Sequence, residues 1–313
     1  MSLSSYQILN TVIEQKSLAR AAQILSITPS AVSHSLNALE REFGFPLLRR
    51  DRSGIALTEN GEALLKYMQM VLADEELLRE EVALINGLEK GTVKIGTFNS
   101  VCSSWIPDIL GAFCKKHPLI KVKVFQGIYG EIASLLENGE LDLGFLALPV
   151  SDKLESFLLA RDRMVCITPL DFEPASPGVV TRDDIKDECF IMQREGDDTD
   201  QRALLDKYRL DVQRQHDLID DLAIVALVEA GLGISITPEL VLEKLPGRYQ
   251  IFPFQPEEFR SIALVKQKKR PLSPAAKRMA DEIRSYVRGR FPDGRVSLKK
   301  VTGFHFRPAE QAR

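Results

Sequence analysis

The sequence predicts a mixed fold: a small helical N-terminal unit closed by a short β turn, one long helix, and a larger C-terminal α/β region. Three patterns carry that reading. Amphipathic helical segments succeed one another before Gly44, an apolar seam at heptad spacing runs from Leu64 to Ile85, and from about residue 91 short β-like runs alternate with helical ones. A chain of 313 residues has room for two or three such units.

Composition narrows the class. With 44% hydrophobic and 27% charged residues the chain is globular, neither disordered nor fibrous. No run approaches the roughly 20 apolar residues a bilayer span needs, and the N-terminus lacks a basic region followed by an apolar block, so a cytoplasmic protein without membrane contact is expected. The four cysteines, Cys102, Cys114, Cys166 and Cys189, form no CxxC pair and are read as reduced thiols. His34, His117, His216 and His305 show no metal spacing, and no GxSxG, P-loop or GxGxxG signature is present. The chain is therefore expected not to be an enzyme and to hold neither metal nor cofactor.

In the N-terminal unit, Leu9, Val12 and Ile13, then Leu18, Ala21, Ala22 and Leu25, outline two short helices, the second capped by Ser17 and ending near Ser26. Thr28 followed by Pro29 restarts a helix through Phe43, a capping side chain with proline at the first helical position. Val32, Leu36, Leu39 and Phe43 form its apolar face. Opposite them lie Ser30, Ser33, His34, Asn37 and Arg41, mostly short hydrogen-bonding side chains that can approach base edges, although a merely solvated face has the same spacing. The following LLRRDRSGIALT reads as two short strands around a turn, and Arg49, Arg50 and Arg52 crowd this wing. The net charge of -3 gives no sign of a polyanion partner, yet residues 1–58 carry six basic against four acidic side chains.

The run SLARAAQILSITPSAVSHSLNALEREFGFPLLRRDRSGIALTENGEALL resembles the winged helix-turn-helix of LysR-type transcriptional regulators. The resemblance rests on Ala21, Ala22, Leu25, Pro29, Ser30, Ser33, Leu39, Glu40, Gly44, Leu47, Arg49, Leu57, Thr58 and Gly61 in that order and spacing. It implies binding to double-stranded promoter DNA, with Pro29, Ser30, Ser33, His34 and Asn37 at the groove and Arg49, Arg50 and Arg52 on the backbone; Thr28 and Arg41 are further candidate DNA contacts. His34 departs from the Arg or other polar residue of many relatives, so no base preference carries over.

Thr58 is expected to cap a long helix through about Leu88. Its seam of Leu64, Met68, Val71, Leu78, Val82 and Ile85, interrupted by Glu75, suits either a partner helix or the helix's own domain. The resemblance implies the former, an antiparallel pair of such helices in a homodimer, with a dimer of dimers and contact with RNA polymerase beyond it.

Beyond GLEKG, TVKIGTF, IKVKVFQG and LDLGFLAL read as strands separated by helices, so a parallel sheet is expected. A second succession runs from about Met164 to Ala263, and the chain then returns through IALVKQKKRPLSPAAKRMADEIRSYV. HPLIKVKVFQG, LLENGELDLGFLAL, VEAGLGISITPEL and PLSPAAK again resemble the LysR family, whose C-terminal portion is a two-lobed, periplasmic-binding-protein-like α/β domain. The expected division is 1–58 for the winged unit, 59–90 for the linker helix, 91–290 for the two lobes and 291–313 for a tail. The lobes divide as 91–161 with 266–290, and 162–265. In the tail, five basic side chains face two acidic ones, a solvated segment or one that docks in an oligomer.

In such folds a ligand sits in the crevice beyond the carboxyl ends of the strands. This points to Thr97, Phe98, Asn99, Ser100 and Val101, to Gln126, Gly127 and Ile128, to Phe145, Leu146 and Ala147, and to Gln193, Gly196, Asp198 and Thr199 as contacts of an unidentified small-molecule effector. Ser100 is read either as an effector ligand or as a helix cap, and Gln126 as an effector ligand or a partner for buried backbone. Glu195, Asp197, Asp198 and Asp200 form an acidic edge, solvated or, if it faces inward, suited to a cationic or zwitterionic effector. Two other readings stand beside this one: a regulator of the same fold sensing oxidants through Cys102, set near a helix N-terminus that would lower its thiol pKa, and a solute-binding protein without DNA activity.

Overall fold

The computed structural model describes residues 2–51, 54–87, 89–196, 199–210, 212 and 218–296, with the side chains of residues 50 and 51 left aside. The expectations for Arg52, Asp198 and the tail beyond residue 296 lie outside the described residues.

Three helices open the chain: α1 (Leu3–Gln15), α2 (Leu18–Ile24) and α3 (Pro29–Phe43). Each start is fixed by a hydroxyl cap. Ser2, Ser17 and Thr28 accept from the backbone N–H of Ser5, Arg20 and Ala31, replacing partners that a helix end lacks. Leu9, Val12, Ala21, Ala22, Val32, Leu36 and Leu39 make the shared core, closed by Leu47 and Met68.

The wing is the antiparallel pair β1 (Leu48–Asp51) and β2 (Gly54–Leu57). Glu40 of α3 anchors it, one carboxylate oxygen accepting from the N–H groups of Leu47 at 2.6 Å and Leu48 at 3.0 Å. Gly61 sits so close beneath that a Cβ there would lie 2.2 Å from the Leu47 carbonyl oxygen. Helix α3, the wing and the start of the next helix are thus locked into one body.

That next helix, α4 (Glu59–Ile85), is capped by Thr58 and ends at Asn86, short of Leu88. The expected seam divides in two. Leu64 and Met68 pack into the N-terminal core, whereas Val71, Leu78, Val82 and Ile85 face solvent, Ile85 with 84% of its surface exposed. The far end of α4 rests on the α/β region, where Glu80 accepts from the Thr92 N–H at 2.8 Å and Glu76 pairs with Lys94 at 3.1 Å.

The α/β region comprises β3 (Gly91–Thr97), α5 (Asn99–Ser104), α6 (Ile106–Lys116), β4 (Ile120–Gln126), α7 (Tyr129–Glu137), β5 (Leu143–Ala147), β6 (Leu154–Thr168), α8 (Arg182–Ile185), α9 (Thr199–Tyr208), α10 (Asp221–Glu229), β7 (Ser235–Pro238), α11 (Glu239–Leu242), β8 (Gln250–Gln267) and α12 (Pro274–Arg290). One six-stranded sheet, ordered β4-β3-β5-β8-β6-β7, runs through it. The expected parallel sheet holds only for β4, β3 and β5; β8, β6 and β7 pair antiparallel, because β6 and β8 cross between the lobes in opposite directions. Ile262–Val265 already pair with β5, so the chain re-enters the first lobe before residue 266.

The first lobe's core gathers Ile95, Trp105, Phe113, Ile132, Phe145 and the apolar face of α12; in the second lobe β6, β7 and β8 are covered by Phe190, Leu205, Ile224 and Val228. Paired Gly96 and Gly144 let α7 lie directly on the sheet: a Cβ on either would come within 3 Å of Ile132. That contact aims the N-terminus of α7 at the gap between the lobes. No helix among the described residues is long and apolar enough to cross a membrane.

Candidate functional site: a reading helix and an inter-lobe cleft

The polar face of α3 is presented as the spacing requires. Thr28, Pro29, Ser30, His34, Asn37 and Arg41 are exposed and Ser33 is half-buried, while Val32, Leu36 and Leu39 are buried on the opposite face. Arg41 donates to the Asn37 carbonyl oxygen at 3.2 Å, which draws its guanidinium along the helix. On the wing, exposed Arg49 donates to the Leu57 carbonyl oxygen at 3.1 Å. A surface of short donors and acceptors with a cation at each margin suits a groove whose walls are phosphates and whose floor carries base edges.

Between the lobes lies a cavity of about 510 Å³, within the range of small-molecule sites. Phe98, Asn99, Ser100, Gln126, Gly127 and Ile128 line it from the first lobe, Gln193 and Gly196 from the second. The remaining sequence candidates stand elsewhere. Val101, Phe145 and Leu146 are buried in the first lobe's core; Phe145 and Leu146, on opposite faces of β5, are both covered because the sheet is packed on both sides there. Thr97 is wholly buried, its hydroxyl donating to the Phe98 carbonyl oxygen, and Ala147 sits in the ladder opposite Ile262. The Thr199 hydroxyl turns back to the Gly196 carbonyl oxygen at 3.3 Å.

Sequence reasoning missed the centre of the site, Arg260. This side chain on β8 is buried, and its donors reach Asp162 Oδ2 from Nε at 2.9 Å and from Nη2 at 2.7 Å, Tyr129 Oη and Asp200 Oδ2 from Nη1 at 3.0 Å each, and Ser100 Oγ from Nη2 at 2.7 Å. Its guanidinium also stands 4.9 Å from the centre of the Phe98 ring, which meets the Tyr129 ring edge-on. Ser100 and Tyr129 belong to the first lobe and Asp200 to the second, with Asp162 and Arg260 on the crossover strands. Arg260 thus ties both lobes together. Burial pushes the Asp162 carboxyl up to about 6 against the pull of Arg260, and burial likewise pushes the Tyr129 hydroxyl up.

Ser100 accordingly is not a cap: Phe98 holds the N-cap position of α5 without a side-chain bond, and the Ser100 hydroxyl is taken by Arg260. Gln126 lines the cleft, and its side chain meets another side chain rather than buried backbone. It donates to Asn99 Oδ1 at 3.2 Å, and Asn99 donates to Asp221 Oδ2 at 2.6 Å, whose other oxygen accepts from Gln193 at 2.7 Å. This is a second bridge between the lobes. Of the acidic edge, Asp200 faces inward onto Arg260 and Glu195 is exposed. Burial raises the Cys102 thiol pKa, opposite to the shift expected of an oxidant sensor.

One signal was available in the sequence. Arg260 stands at the edge of the apolar run IALV in FRSIALV, and Asp162 lies between Arg161 and Arg163 inside LLARDRMVCI; charges set within such strands call for buried partners.

Comparison with known proteins decides the family. Residues 3–62 match the bacterial regulatory helix-turn-helix of the lysR family, and residues 86–288 match the LysR substrate binding domain. The chain belongs to the LysR family. LysR-type relatives include the uncharacterized HTH-type transcriptional regulator YvbU of Bacillus subtilis, 27% identical with 90% of this chain and 99% of that protein covered. The transcriptional dual regulator GltC of the same organism is 26% identical, with 88% and 94% covered. Among solved structures, a full-length OxyR variant from Pseudomonas aeruginosa superposes with a TM-score of 0.73 at 22% identity, covering 91% of this chain and 98% of its own. This LysR family member is a DNA-binding transcriptional regulator with an effector-binding domain.

Proposed function

We propose that this regulator reads its operators with Ser33, His34 and Asn37 of α3, is clamped to the backbone by Arg41 and Arg49, and takes its effector into the cleft around Arg260. The observation that carries the reading is the rigid mounting of α3, whose buried face and Glu40-anchored wing leave the polar face preorganised. The exposed seam of Val71, Leu78, Val82 and Ile85 supports a homodimer through α4, which would set two reading helices on the half-sites of a dyad. Assembly into a dimer of dimers and contact with RNA polymerase belong to the same proposal. An effector shifts promoter contacts only by binding one arrangement of lobes more tightly than another.

The test uses promoter fragments recovered by genome-wide mapping of bound DNA. In gel-shift titrations, Ser33→Ala/Asn37→Ala should lose about 1–3 kcal/mol of discrimination between operator and scrambled DNA. Arg49→Ala should weaken both sequences alike and reduce the salt slope by about 1. Unchanged operator choice in the double variant would remove Ser33 and Asn37 from the reading face.

A further inference from the structure

Three hydrogen bonds in the wall of the inter-lobe cavity join the second lobe to the first lobe or to the crossover strand β8. Asp200 Oδ2 accepts from Tyr129 Oη at 2.8 Å and from Arg260 Nη1 at 3.0 Å, and Asp221 Oδ2 accepts from Asn99 Nδ2 at 2.6 Å. All five side chains line the cavity. Their mountings are rigid. Asn99 opens α5 and Tyr129 opens α7 on the first lobe, while Asp200 lies in the first turn of α9 and Asp221 opens α10 on the second. These helices are packed into their own lobes through Val101 and Ile132 on one side and Leu205 and Ile224 on the other.

The bonding groups are also aimed before they meet. Gln126 donates to Asn99 Oδ1 at 3.2 Å from within the first lobe, and Gln193 donates to Asp221 Oδ1 at 2.7 Å from within the second, so little side-chain freedom is left to lose when the lobes come together. Elsewhere along the wall, a Cβ on Gly196 would stand 3.6 Å from Ile128 Cδ1. Both halves of each bond belong to this chain, so closure needs nothing from outside it. Hydrogen bonds to carboxylates are among the stronger ones, yet opening the cleft would return Asp200 and Asp221 to water, which offsets part of the loss. Closure is favoured without being permanent.

A ligand changes such an equilibrium appreciably only by favouring the minor arrangement. Taking the cleft as the effector site, we infer that Asp200 and Asp221 are built-in latches that hold the lobes closed at rest, and that the effector signals by releasing them. Methyl spectra of the full chain test this. A lanthanide tag on exposed Cys114 of α6, its position checked by peptide mass, gives pseudocontact shifts at isoleucine methyl groups. Ile95 and Ile132 serve as the first-lobe reference and Ile191 and Ile236 as the second-lobe readout; the tagged, isotope-labelled chain is diluted into plain chain so that the tag reads its own protomer. With no small molecule added, the unaltered chain should fit the closed placement. Asp200→Ala/Asp221→Ala takes both acceptors from the second lobe and should shift Ile191 and Ile236 together while Ile95 and Ile132 hold. Asn99→Ala/Tyr129→Phe acts from the first lobe and should do the same to a smaller extent, because Arg260 still holds Asp200; if one pair unfolds a lobe, the other decides. In DNase I footprinting the released chain alone should protect a different length of operator. An open placement in the unaltered chain, second-lobe methyls unmoved in a folded variant, or an operator footprint indifferent to opened lobes overturns the inference. Operator retardation by the unaltered chain is scored separately: where it persists and the latches fail, the latches alone fall, and its loss counts against the regulator reading itself.

Discussion

Arg260 joins more of the site than any residue singled out from the sequence, and its removal has a definite cost. Arg260→Ala leaves Asp162 buried without a counter-charge, a loss of about 3–5 kcal/mol by the usual behaviour of broken buried pairs, read as a lowered urea midpoint. The pH dependence has a sign. Because burial raises the Asp162 carboxyl to about 6 in the folded chain, the native state holds a proton that the unfolded chain has already released between about pH 4 and 6. Stability from this group is full below that window and declines as pH rises through it. Urea midpoints across the window should fall less steeply for Asp162→Asn than for the unaltered protein. At this scale the sequence was partly legible. Spacing alone put Ser33 and Asn37 on the polar face of α3 without giving that face a role, but the partners of Arg260 lie up to 160 residues away in the chain, and no local pattern specifies contacts at that separation.

Elements were more legible, since the signals that start them are local. Ser17, Thr28 and Thr58 are the caps the sequence marks. The seam of α4 was less so: periodicity marks an apolar stripe without saying how much of it the helix's own domain consumes, and Leu64 and Met68 are consumed. The wing's dependence on Glu40 gives an element-scale prediction. Glu40→Ala strips the acceptor from two backbone donors, at roughly 1–3 kcal/mol for each donor left without a partner, whereas Glu40→Gln keeps an acceptor in place. The alanine variant should melt the N-terminal unit earlier and lose DNA affinity through the wing, while the glutamine variant should stay near the unaltered protein in both melting and gel shift.

For the molecule as a whole, the order of winged unit, linker helix and two lobes followed from the sequence, while the sheet's mixed character did not, because strand direction depends on how distant segments return. Assembly is the property to test here. Burying Leu78 and Val82 against a second α4 is worth about 1.5–3 kcal/mol for each side chain, so Leu78→Glu/Val82→Glu should raise the dimer dissociation constant by roughly a hundredfold or more. Sedimentation equilibrium measures this directly, and an unchanged constant would place the dimer contact elsewhere. The two lobes, finally, share strands that run unbroken from one to the other, 15 residues in β6 and 18 in β8. Sliding one lobe past the other would break that ladder rung by rung, whereas bending or twisting it at the register shifts beside Leu158 and Met164 breaks little. The molecule can therefore report an occupied cleft as an angle far more cheaply than as a displacement, and a pair of orientation-sensitive probes would see what a distance ruler would miss.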